Sequence, residues 1–82
     1  MNKILITIIV PMIEENYDIY IPVSKSINVT KELLIKTINE LSGGHFPLKE
    51  KCTLISTDGI IYNGVLTLKE CGIKNGDKIV LI

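Results

Sequence analysis

The stretch that decides the fold is CGIKNGDKIVLI, Cys71–Ile82. Two tight-turn signals, Cys71-Gly72-Ile73 and Asn75-Gly76-Asp77, come in quick succession, and Lys78–Ile82 follows them as an aliphatic run. Gly and Asn tolerate the left-handed backbone of a sharp turn, and a short apolar run after such a turn predicts a strand. Strand alternation puts Ile79 and Leu81 on one face and Val80 and Ile82 on the other. A last strand needs a partner, and the most strand-like run lies at the opposite end of the chain. Lys3–Val10, KILITIIV, is β-branched and apolar throughout and is closed by Pro11.

The elements between fall into a clear order. Tyr17–Ile21 predicts a second strand, ended by Pro22, with Pro11–Asn16 as the hairpin loop. A helix follows, with Thr30 as its N-cap and Glu32 in the first turn, where the helix dipole favours an acid. Leu34, Ile38 and Leu41 recur at i, i+4 and i+7 as the core stripe, with Ile27 one step earlier as a staple. Glu32, Lys36, Asn39 and Glu40 fall opposite, and Ser42-Gly43-Gly44 ends the helix in a left-handed cap. After a loop around Pro47, Lys51–Thr57 predicts a third strand, Asp58-Gly59 a turn and Ile60–Tyr62 a short fourth strand. Asn63-Gly64 turns again, and Thr67–Cys71 predicts a single helical turn closed by Gly72. Residues 1–82 are thus expected to form a single α+β domain, a mixed four- to five-stranded sheet with one helix packed across one face. With the last strand beside the first, this is the β-grasp arrangement.

Composition narrows the function. The chain has 82 residues, 46% hydrophobic and 22% charged, enough for one small core. Isoleucine dominates the apolar set, with one Phe and no Trp, which favours strands on an aliphatic core. Nine Lys balance nine acids, and no Arg is present. That lacks both the basic excess and the guanidinium forks of nucleic-acid binders, so nucleic acid is not expected as a partner. Cys52 and Cys71 form no CxxC pair and are expected as reduced thiols. The opening MNKILITIIV has the form of a signal peptide, but Pro11–Glu15 offers no small-residue cleavage site, and removal would cost the domain its best strand. No apolar run approaches the roughly 18 residues of a membrane span, so a cytoplasmic chain without membrane insertion is expected. In such a chain the Asn28-Val29-Thr30 sequon carries no weight.

The layout resembles ubiquitin over nearly the whole chain. Leu68–Asp77 has the form of the short helical turn and bend that precede ubiquitin's final strand. More narrowly, Asn63-Gly64, Leu68, Cys71-Gly72-Ile73 and Gly76-Asp77, at their spacing here, resemble the YukD-like (EsaB-like) family. These are small ubiquitin-like proteins associated with type VII (Ess/Esx) secretion in Gram-positive bacteria. The C-terminal third matches in sequence, the first fifty residues only in pattern. The resemblance implies a β-grasp fold, no diglycine tail, no conjugation, and an accessory or adaptor role through protein–protein contacts. Ubiquitin's conjugating tail begins just past the place that Ile82 takes here, so a chain ending there is expected to bind and not to tag.

No catalytic constellation emerges, and no enzymatic activity, cofactor or small-molecule substrate is expected. His45, the only histidine, sits in a Gly-Gly-His-Phe-Pro loop with no partner suggested by the sequence. Gly43-Gly44 lies in mid-chain at a helix end, where it cannot serve as an activated C-terminus. Asp58-Gly59 and Asn75-Gly76-Asp77 lack the clustered acids of a Ca²⁺ loop.

What remains is surface. With Ile4, Ile6, Ile8, Ile55, Ile79 and Leu81 toward the helix, the open face of the sheet carries Leu5, Ile9, Leu54, Val80 and Ile82. An ordinary solvated sheet face would put Thr, Lys or Glu there. These five are the expected protein-interaction residues, toward secretion components or a second copy of the chain. Leu33 and Ile35, on the flanks of the helix, offer a second surface. The alternatives are a homodimeric structural module unrelated to secretion, a degenerate ubiquitin or sulfur-carrier protein, and a redox or metal protein using Cys52 and Cys71.

Overall fold

The computed structural model describes residues 3–48 and 51–82. Met1 and Asn2 of the signal-like opening, and positions 49 and 50 in the loop after Pro47, lie outside the described residues. Five regular elements follow in chain order: strand β1 (Lys3–Val10), strand β2 (Glu15–Pro22), helix α1 (Ile27–Leu41), strand β3 (Leu54–Ser56) and strand β4 (Lys78–Leu81). The sheet order is β2-β1-β4-β3. β1 pairs antiparallel with β2 and parallel with β4, and β3 pairs antiparallel with β4. β1 has the predicted bounds. β2 is longer than predicted at both ends, because the hairpin closes at Val10 opposite Glu15 through a 3₁₀ turn, Pro11–Ile13.

The parallel β1–β4 contact joins the two ends of the chain, and the Asn75-Gly76-Asp77 turn secures it. Asn75 Oδ1 accepts from the Leu5 N–H at 2.8 Å, and the Gly76 N–H donates to the Leu5 carbonyl at 2.7 Å. The Thr7 N–H donates to the Asp77 carbonyl at 3.0 Å. The turn therefore extends the ladder with a side chain standing in for strand backbone. Gly76 adopts φ 89°, a conformation that L side chains rarely take.

One face of the sheet is dry. Ile6, Ile8, Val10, Ile21, Leu54, Ile79 and Leu81 bury there against Ile27, Leu34, Ile35 and Ile38 of α1, with Phe46, Leu68 and Ile73 closing the ends. Each fully buried Ile or Leu contributes about 1.5–3 kcal/mol before the entropy of ordering the chain is charged against it.

Five expectations about the middle of the chain need correction. The helix starts at Ser26, not Thr30. Ser26 Oγ accepts from the Val29 N–H at 3.2 Å. The N–H groups of Ile27 and Asn28 donate to the Leu66 and Gly64 carbonyls at 2.8 and 3.0 Å. The loop thus satisfies first-turn donors that have no partner within the helix, and the earlier start buries Ile27. Glu32 accordingly lies beyond the first turn. Leu41, expected in the core, is 59% exposed. The helix ends in a Schellman arrangement, with Gly43 N–H to the Glu40 carbonyl and Gly44 N–H to the Asn39 carbonyl, and the chain doubles back. Phe46 fills that end instead, held by Asn39 Nδ2 donating to the Phe46 carbonyl (2.7 Å) and the Phe46 N–H donating to Ser42 Oγ (2.9 Å). Ile35, expected on an exposed flank, is buried. It lies one turn beyond Lys31, on the side of α1 that faces Cys52–Leu54, so the apolar stripe is broader than i, i+4, i+7. Finally, Ile60–Tyr62 forms no strand: a single bridge joins Ile55 to Ile61.

The predicted helical turn after Thr67 is present in hydrogen bonds. Thr67 and Glu70 cap each other, each side chain accepting from the other's N–H, and Cys71 N–H reaches the Thr67 carbonyl at 3.0 Å.

Candidate interaction face

The pairing register assigns each strand residue to a face, because residues directly opposite each other point the same way. Ile8 faces Ile79 and both are fully buried, so the inner parity is settled by burial. The outer parity follows. Ile9 lies beside Val80, Val80 beside Ile55, and Ile55 beside Ile61. This row of four aliphatic side chains crosses the open face from β1 to the loop beyond β3. Leu5 pairs with Tyr20 on one side of the row, and Ile82 continues β4 on the other. Tyr20, Ile61 and Ile82 are 67%, 68% and 52% exposed, while Leu5, Ile9, Ile55 and Val80 are half-buried by one another and by the pleat.

Four of the five expected residues, Leu5, Ile9, Val80 and Ile82, stand on this face. Leu54 does not. It is fully buried, paired with Leu81, and Ile55 takes the outward place. A three-residue strand with adjacent Leu and Ile carries no parity of its own, so the partner's register decides it. Ile61 and Tyr20 also belong to the face. Tyr20 was legible, since β2 alternates; Ile61 was not, since only the bridge to Ile55 places it.

Polar groups border the face at Asn16, opposite Ile9, and interrupt it at Thr7. Thr7 Oγ1 donates to Asp18 Oδ1 at 2.7 Å, and Lys78 lies on the other side of Thr7. The pattern is an aliphatic row with one acid and one base at its border. A surface of this kind can exclude water against a partner and carries a small means of fixing orientation.

The remaining candidates do not assemble chemistry. His45 is exposed; its Nδ1 donates to the Ser42 carbonyl at 2.7 Å, which fixes the proton on that nitrogen. Cys52 is buried and Cys71 half-buried, and both are free thiols. Burial pushes the Cys71 thiol up, with the Glu70 charge adding to it, the opposite of nucleophile activation. Burial likewise raises the Tyr62 hydroxyl, with Asp77, Cys71 and Asp58 contributing. Among the described residues, no three His, Cys, Asp or Glu side chains group to hold a metal, and no helix is long and apolar enough to cross a membrane. Leu33 of the second expected surface is exposed, but Ile35 is not.

Sheet order, crossing helix and helical turn together define a ubiquitin-like β-grasp domain. Comparison with solved structures agrees. The EccD5 ubiquitin-like domain from Mycobacterium xenopi superposes with a TM-score of 0.83 at 19% identity, over 100% of this chain and 94% of that one. A chain of the ESX-5 inner membrane complex superposes at 0.84 and 16% identity, and this protein spans 21% of that chain's length. The ubiquitin-like domain of Plasmodium falciparum Dsk2 gives 0.75 at 16% identity, covering 96% and 95% of the two chains. At these identities the fold is what is shared. No protein-family model and no curated protein matches the sequence.

Proposed function

We propose that this protein is a non-conjugating, non-enzymatic ubiquitin-like adaptor of a Gram-positive type VII secretion system, working in the cytoplasm through its open sheet face. The observation that carries the proposal is the row Ile61–Ile55–Val80–Ile9, aliphatic where a solvated sheet face would be polar. The resemblance of the C-terminal third to the YukD-like pattern is what suggests the system, and the likeness to an EccD5 ubiquitin-like domain and to a chain of the ESX-5 inner membrane complex supports the same direction. On this reading the partner is a protein component of the secretion apparatus.

The test is a Val80→Lys change, which places a charge in the centre of the face without entering the core. Purified wild-type and variant protein are titrated against the cytoplasmic domains of type VII secretion membrane subunits from the same organism. The wild type binds one of them, and Val80→Lys weakens that binding by at least about tenfold while melting within a few degrees of the wild type. Equal binding by both proteins overturns the assignment of the face. Light scattering checks the second reading, a homodimeric module, which the same row also favours. A dimer that Val80→Lys splits, together with no binding to the secretion subunits, replaces the adaptor by that module.

A further inference from the structure

The edge of β2 is open. Leu5 and Thr7 direct their backbone N–H and C=O groups toward the Asn75–Asp77 turn and β4. Strand geometry then turns those of Ile4, Ile6 and Ile8 toward β2, where Ile21, Ile19 and Tyr17 receive them. The N–H and C=O groups of Asn16, Asp18 and Tyr20 therefore point away from the sheet. Among the described residues, no turn, loop or cap backbone bond reaches them. The opposite edge, β3, is three residues long and already bridged by Ile61, whereas β2 offers eight residues.

Beside that edge runs a cleft of about 160 Å³ between β2 and α1, walled by Ile19, Ile21, Leu33 and Thr37. Thr30 also lines it, buried and with no hydrogen-bond partner for its hydroxyl. Nearer the start of β2 lies a second hollow, lined by Glu14, Glu15, Tyr17, His45 and the C-terminal end of α1 at Leu41 and Ser42. No Lys or Arg lies in the last turn of α1, whose end carbonyls are met by the N–H groups of Gly43 and Gly44 and by the His45 ring. Among the described residues no Lys lines either hollow, and His45 is the one base beside Glu14 and Glu15.

We propose that the free edge of β2, with the cleft beside it, binds an extended peptide segment of a partner protein, an apolar β-branched stretch with Lys or Arg at one end, which adds a fifth strand to the sheet. Backbone groups of Asn16, Asp18 and Tyr20 supply the ladder, the cleft receives alternate apolar side chains, and Glu14, Glu15 and the helix end receive the basic residues. A second copy of the chain is the poorer occupant. Glu14, Glu15 and Asp18 all lie along this edge, so two such edges would set like charges against each other. This site adjoins the open sheet face at Asp18 and Tyr20 but uses their backbone groups, and it stands or falls without the aliphatic row Ile61–Ile55–Val80–Ile9.

The test uses the whole protein, ¹⁵N-labelled, and a synthetic peptide, acetyl-Lys-Lys-Arg-Val-Thr-Val-Ile-Val-amide, with a second peptide carrying Glu in place of its three basic residues. The basic peptide slows amide exchange at Asn16, Asp18 and Tyr20 and shifts the resonances of Leu33 and Thr37. The acidic peptide binds at least about tenfold more weakly. Tyr20→Pro removes one outward N–H without removing a β1–β2 bond and lowers affinity about tenfold, while Tyr20→Ala stays within about threefold. If Tyr20→Pro does not fold, Leu33→Lys, on an exposed wall of the cleft, gives the same loss. Val80→Lys leaves the binding unchanged. Shifts on Ile55 and Val80 instead, equal binding of the two peptides, or no saturable binding overturn the proposal. So does protection of the three amides that grows with protein concentration alone, since a second copy then holds the edge.

Discussion

Leu54 and Ile55 are chemically near-identical neighbours, and the structure gives them opposite roles. Alanine substitution at each site separates those roles. Leu54 is fully buried opposite Leu81, so Leu54→Ala loses the transfer energy of its side chain and leaves a cavity among Leu81, Ile79 and the helix. Such changes cost about 2–5 kcal/mol, and with little freedom for a short strand to collapse inward we take about 3. Unfolding entropy is about 2.1 cal/mol/K per residue, so for 82 residues it is about 170 cal/mol/K, and 3 kcal/mol lowers Tm by about 17 °C. Ile55 is half-exposed on the open face, so Ile55→Ala costs under about 1.5 kcal/mol, or less than 9 °C. Circular dichroism melts and urea titrations with unchanged slope measure both. For partner binding the order reverses: Ile55→Lys disrupts it, whereas Leu54→Lys prevents folding. Equal Tm losses, or a larger loss for Ile55→Ala, would refute the assignment of faces in β3 and with it the position of Ile55 in the interaction row.

Four further outcomes follow from particular residues. Thr30→Val replaces a buried hydroxyl that has no partner with a methyl of the same shape, and is expected to leave stability unchanged or raise it by about 1 kcal/mol, whereas Ser26→Ala removes the helix cap and costs about 1 kcal/mol in the same melts. Gly64→Ala sets a new Cβ against the end of the exposed Asn28 side chain, which can turn to another rotamer, and costs under about 1 kcal/mol; in the Asn28→Ala background that cost disappears, which a double-mutant cycle reads directly. The Cys71 thiol and Tyr62 hydroxyl both have values raised above their usual 9.0 and 10.0, so the folded state holds their protons more tightly than the unfolded one. Their contribution is complete at neutral pH and is lost as pH rises above about 9, so urea midpoints measured from pH 7 to 11 fall only in the alkaline part, and Cys71 alkylates more slowly at pH 8 than a free thiol.

Much of this fold was legible because local signals agreed with one another. The β1 run was apolar throughout, ended by Pro11, and its bounds came out as predicted. The Gly43-Gly44 helix end and the Asn75-Gly76-Asp77 turn were readable because positive φ is a property of single residues. The inner and outer sets of β1 and β4 followed from alternation, and with them Leu5, Ile9, Val80 and Ile82 of the interaction face.

What the tertiary structure decided were the choices between near-equal local options. Ser26 and Thr30 are both capable caps; carbonyls of Gly64 and Leu66, distant in sequence, tip the balance to Ser26. Leu41 and Phe46 both suit the end of the core, and the Asn39 and Ser42 hydrogen bonds seat Phe46. Leu54 and Ile55 suit either face equally well, and only the register against Leu81 and Val80 distinguishes them. Alternation and periodicity act within a segment and are written in its residues. Register, helix start and end packing are set by contacts between segments, and there the energy that decides belongs to the partner.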